Sequence, residues 1–155
     1  MRSHRRLRRL VVDERTTYLW SVRHKHRDGD VCREVLNLCL DGARTRVVFR
    51  SGESGSGRYV ADGYWFAGCV ADGRGNLLNL REPGVVRALV DEAMRRELLP
   101  GKGELDGWEL FHAVVGAVEV SRAAAATPWE SGMRPLSQAV ASRGRGRTEA
   151  PRTSA

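Results

Sequence analysis

At 155 residues, with 41% hydrophobic and 29% charged side chains, the chain can bury one core and is too apolar to be disordered throughout. No apolar run approaches bilayer length, and the basic start, Met1–Arg9, lacks the apolar stretch of a secretory signal, so a cytoplasmic location with no membrane partner is expected. The net charge of +7 divides as +5 on Met1–Val12 and +4 on Ser121–Ala155, which leaves −2 on Asp13–Val120. Basic ends therefore flank a near-neutral body, unlike a domain whose own surface is uniformly basic.

In chain order, Leu10–Val12 predicts a short first strand turning through Asp13-Glu14-Arg15. Thr17–His26 alternates, with Tyr18, Trp20, Val22, His24 and His26 on one face. Cys32–Leu40 sets Leu36, Leu38 and Leu40 opposite Val35, Asn37 and Cys39, and Val47 and Phe49 alternate with Arg46, Val48 and Arg50. Tyr64–Val70 and Leu77–Leu80 complete the strands. Five Asp-Gly pairs (at 28, 41, 62, 72 and 106) punctuate these runs and predict hairpin turns, because Asp tolerates left-handed backbone and Gly has no Cβ to clash there. Ser51–Gly57 is a loop by composition and reads as a long hairpin connection.

The period then changes. Val85, Val86, Leu89, Val90, Ala93, Met94 and Leu98 make one helical stripe, opened by Pro83 and closed by Pro100-Gly101. Arg87–Asp91, Asp91–Arg95 and Glu92–Arg96 are spaced to pair along its outer side. Trp108–Phe111 is ambiguous by periodicity and is assigned a short strand followed by a short helix through Val118. The expected fold is α+β: a mostly antiparallel sheet of five to seven short strands carrying one amphipathic helix. It forms a single domain over residues 9–120, followed by a disordered tail over 121–155.

Few residues suggest chemistry. His24 and His26 share a face, and with Cys32 and Cys39 on the next strand they are candidate metal ligands, although the spacing is looser than that of known zinc sites. No cofactor is expected. The Gly-rich loop lacks the Gly-Lys-Ser/Thr and following helix of a phosphate cradle, and Gly52-Glu53-Ser54-Gly55-Ser56 is not a nucleophile elbow. The Asp-Gly aspartates are accounted for by turns. No nucleophile, base and stabiliser can be named together, so the reading leans away from an enzyme.

Binding has better candidates. Arg5, Arg6, Arg8 and Arg9 at the start, and Arg143, Arg145 and Arg147 in an Arg-Gly run, are candidate contacts for weak, sequence-independent nucleic-acid binding. Trp65 lies in Tyr64-Trp65-Phe66, where adjacent rings must take opposite faces of a strand, so at least one faces away from the main core. Trp129, Met133 and Leu136 follow a Thr127-Pro128-Trp129-Glu130 capping pattern and would suit a partner's groove.

Tyr18-Leu19-Trp20-Ser21-Val22-Arg23, Asp62-Gly63-Tyr64-Trp65, Glu82-Pro83-Gly84-Val85-Val86-Arg87 and Asp106-Gly107-Trp108 resemble segments of small hypothetical proteins of GC-rich actinomycete bacteria. The resemblance spans roughly residues 9–112 and implies a bacterial cytoplasmic protein with a compact sheet-plus-helix body. It brings no activity or ligand. The functional expectation is a non-enzymatic accessory domain that contacts a protein partner, with nucleic-acid binding through the basic ends as the alternative.

Overall fold

The computed structural model describes residues 6–26, 31–60 and 67–125. The fold is α+β: a five-stranded mixed sheet, a three-stranded antiparallel sheet and two helices. The larger sheet has the order β1 (Arg8–Val11), β2 (Thr17–Lys25), β3 (Arg33–Leu40), β4 (Ala43–Arg50), β8 (Gly103–Asp106). Its first four strands run as an antiparallel meander, and β8 joins β4 in parallel, with Thr45 opposite Gly103 and Val48 opposite Asp106. The smaller sheet is β5 (Tyr59–Val60), β6 (Cys69–Ala71) and β7 (Leu77–Asn79). The helices are α1 (Pro83–Arg95) and α2 (Gly107–Ala125).

The expected alternation sets the core. Tyr18 and Trp20 on β2, Leu36 and Leu38 on β3, and Val47 and Phe49 on β4 are all buried on one face of the large sheet. Against that face pack Val85, Val86, Leu89, Val90 and Ala93 of α1, Leu110, Phe111, Val114 and Val118 of α2, and Val70 and Leu78 of the small sheet. The α1 stripe is the one expected from spacing. Arg87 pairs with Asp91 at 2.9 Å and Arg96 with Glu92 at 2.6 Å, but Arg95 reaches back to Glu92 at 2.7 Å instead of to Asp91.

Two arginines on one carboxylate have a consequence for acid stability. Their hydrogen bonds hold the Glu92 carboxyl at about 2, below its ordinary 4.5. A carboxylate depressed on folding contributes stability that is complete above its unfolded pKa and disappears as pH falls through the folded one. In urea titrations at stepped pH, Glu92→Gln is therefore expected to make the loss of stability between pH 4.5 and about 2 shallower than in the parent. Equal slopes would show that the pair is screened away.

Several boundaries differ from the sequence reading, each for a local reason. The helix α1 stops at Arg95, well before Pro100-Gly101. Glu97 takes a positive φ of 60°, Leu98 N–H donates to Ala93 O and Glu97 N–H to Met94 O, so a Schellman motif ends the helix without glycine. Ser51–Gly57 is no hairpin, because β4 and β5 belong to different sheets. Trp108–Phe111 is not a strand but the first turn of α2, a 19-residue second helix that runs on through Ala125, past the expected start of the tail.

The Asp-Gly pairs divide into three kinds. Asp41-Gly42 is the expected two-residue hairpin turn, with φ of 48° and 81° joining Leu40 to its register partner Ala43. Asp72 also turns the chain, its carboxylate accepting from Arg74 N–H and from both the backbone and side chain of Asn76, which lowers its pKa. Asp106 does something else: its Oδ1 accepts from Trp108 N–H at 3.0 Å and caps α2. The pairs at 28 and 62 lie outside the described residues.

Candidate functional site

The large sheet has a second face that the hydrophobic core does not use. Because side chains alternate along a strand, Arg9, Leu19, Cys39 and Arg44 form one cross-strand row on it. Ser21, Asn37, Arg46 and Glu104 form the next, and Arg23, Val35, Val48 and Asp106 the third. Lys25, Arg33 and Arg50 make the last. Both helices and the small sheet contribute their buried side chains to the core on the opposite face.

The face is cationic. Arg46 and Arg50 stand about half exposed and converge on Glu104, Arg46 at 3.5 Å and Arg50 in direct hydrogen-bond contact. Arg50, Arg46 and Arg33 together lower the Glu104 pKa, against a smaller opposing effect of burial. Among the described residues, Arg9, Arg23, Lys25 and Arg44 have no carboxylate partner. Val35 and Val48, paired with each other, are buried apart from the main core. Arg23, beside Val35 in register, has a buried Nε without a hydrogen-bond partner, the position of a guanidinium stem laid over apolar surface.

The N-terminal arginines separate once placed. Arg8 is built into the fold, with its guanidinium 5.1 Å over the Trp20 ring and Nη1 donating to Arg81 O at 2.7 Å. Arg9, opposite Leu19, belongs to the cationic face, and Arg6 is exposed just ahead of β1. Arg5, Arg143, Arg145 and Arg147 lie outside the described residues, as do the partner-contact candidates Trp65, Trp129, Met133 and Leu136.

The histidines sit at the end of the core face, and each has a partner on the neighbouring strand. His24 Nδ1 lies 2.8 Å from Glu34 Oε1, which also accepts from Gly68 N–H at 3.0 Å. Glu34 is fully buried, and its other oxygen, Oε2, has no partner. His26 Nδ1 lies 2.8 Å from Cys32 Sγ. Cys39 is on the cationic face at the far end of β3, about 24 Å along the strand from Cys32, so it cannot join the other three around one ion. Among the described residues no three His, Cys, Asp or Glu side chains are grouped to hold a metal. A shallow groove of about 220 Å³ between α1 and α2, lined by Gly84, Ala88, Ala113 and Ala117 with Arg87 and Asp91, is smaller than the roughly 300–1,000 Å³ of ordinary ligand pockets.

No family model, curated protein or solved structure matches the chain. Its chemistry must be argued from its own residues. No helix among the described residues is long and apolar enough to cross a membrane. Sequence reasoning missed the cationic face because it summed charge along the chain: Asp13–Val120 totals −2, yet alternate residues of β2 and β4 send their basic side chains to one side. The signal was there as Arg23 and Lys25, and as Arg44, Arg46 and Arg50, each set in step with a period of two.

Proposed function

We propose that the protein binds nucleic acid through its phosphate backbone, using the cationic face of the five-stranded sheet and without reading sequence. The observation that carries this reading is the set of basic rows on β1–β4, on which the described residues place carboxylates only at the β8 edge. Along β4, alternate positions place Arg44 and Arg46 about 7 Å apart, with Arg50 two further steps on, a spacing suited to successive phosphates. Guanidinium forks on a rigid sheet hold their direction and meet phosphate oxygens two at a time. The described part of this face presents no aromatic ring, so the support is for backbone contact and not for base stacking.

The test is the affinity of the full chain for a short DNA duplex and for a single strand of the same length, followed against salt. With four to six phosphates neutralised, affinity is expected to fall on the order of 10²–10³-fold between 50 and 200 mM salt. Arg23→Ala and Arg44→Ala should each reduce the slope of log affinity against log salt by about one, and Glu104→Gln should tighten binding. A joint Arg143→Ala, Arg145→Ala and Arg147→Ala variant separates the sheet from the tail. If that variant loses all binding while the sheet variants lose none, or if nothing binds at 50 mM salt, the reading fails.

A further inference from the structure

We infer that Cys32 is a modification site, a nucleophilic thiol served by His26 as its base and oxidised by hydrogen peroxide to the sulfenic acid. This inference is independent of nucleic-acid binding. None of the three cysteines is in a disulfide, and they sit in three different settings. Cys32 immediately precedes β3 and has the His26 imidazole in direct contact, Nδ1 to Sγ 2.8 Å, with the ring exposed. Cys39 is half-buried on the cationic face, between Leu19 and Arg44. Cys69 is half-buried in the small sheet, where desolvation and the carboxylates of Glu34 and Glu82 push its thiol pKa up.

The thiolate is the reacting form, and a base within hydrogen-bond distance is what raises its share at neutral pH. Among the described residues only Cys32 has such a base. The step balances within the pair and the oxidant. The Cys32 proton passes to His26 Nδ1, and Sγ attacks one peroxide oxygen. The O–O bond breaks, and the departing hydroxide takes the proton from the imidazolium and leaves as water. Sulfur loses two electrons and peroxide gains them.

The experiment uses the folded full-length chain. Limiting iodoacetamide, followed by peptide mass spectrometry, ranks the three thiols, and dimedone after a brief hydrogen peroxide pulse locates the sulfenic acid. Cys32, with a base in contact, is expected to be alkylated at least about tenfold faster than Cys69, whose thiolate is disfavoured by burial and neighbouring carboxylates, and to carry the dimedone adduct. His26→Ala, at an exposed position, should slow Cys32 by about the same factor with an unchanged melting temperature, while His26→Lys should restore part of the rate by supplying a cation. Equal rates for Cys32 and Cys39 in the parent protein, or a His26→Ala rate equal to the parent's, overturn the inference. The first of these comparisons requires no variant.

Discussion

Phe49→Ala is expected to lower unfolding free energy by about 3–5 kcal/mol, and Gly107→Ala by about 1–3 kcal/mol, in urea denaturation of otherwise unaltered protein. Both effects arise at one contact. Phe49 is fully buried at the end of β4, and a Cβ on Gly107 would lie inside the van der Waals envelope of its ring. The ring cannot swing aside. Trp108 meets it edge-on at 5.3 Å and is itself held by a hydrogen bond from Nε1 to Arg50 O at 2.8 Å. Gly107 is therefore required for close approach of α2 to the sheet, and its φ plays no part. The two sites must then couple. Phe49→Leu shortens the side chain where the new methyl would intrude, so Gly107→Ala in that background is expected to cost clearly less than it does alone. Additive costs would place the strain elsewhere.

That contact shows where sequence reading succeeds and where it stops. Strands β2, β3 and β4 were legible because one face of each is buried: Tyr18 and Trp20, Leu36 and Leu38, and Val47 and Phe49 are each two residues apart, and a slip by one residue would expose them all. The α1 stripe was legible for the same reason at period 3.6. Asp106-Gly107 was not. The same dipeptide that turns a hairpin at Asp41 caps a helix at Asp106, and what separates them is the next strand's partner. Ala43 returns antiparallel to Leu40, whereas β8 pairs in parallel with β4, 58 residues earlier in sequence, and leaves α2 to follow. Pairing at that sequence distance leaves no mark in a local window.

The site was less legible than the fold. Chain-summed charge pointed to the termini, and Arg8, one of those candidates, turns out to brace Trp20 and Arg81. Arg9, its neighbour, goes to the opposite face by alternation alone. His24 and His26 were read as sharing a face, but Glu34, the residue that His24 meets, was passed over. It occupies a core-facing position between Cys32 and Leu36, where period two calls for an apolar side chain. A charged residue in step with a buried stripe is the pattern that marks it.

That misfit residue supports the other large effect. His24→Ala is expected to destabilise the fold by about 1–3 kcal/mol, the cost of leaving a fully buried carboxyl group short of a hydrogen-bond partner, with water able to reach part of the gap because His24 is one-quarter exposed. The loss comes from Glu34, left with Gly68 N–H as the donor to Oε1 and with Oε2 still unpartnered in the core. The logic predicts an asymmetry. Glu34→Leu removes the carboxyl group and its desolvation together and puts a side chain that suits Leu36 and Phe49 in its place, but it leaves the buried Gly68 N–H without this acceptor, so it is expected to cost no more than about 1 kcal/mol. In the Glu34→Leu background, His24→Ala should then cost less than about 1 kcal/mol, since no buried carboxyl group is left to lose its partner. Paired urea titrations of the four proteins measure the cycle. If His24→Ala costs the same with and without Glu34, the histidine contributes through packing alone, and the buried carboxylate is not what its imidazole stabilises.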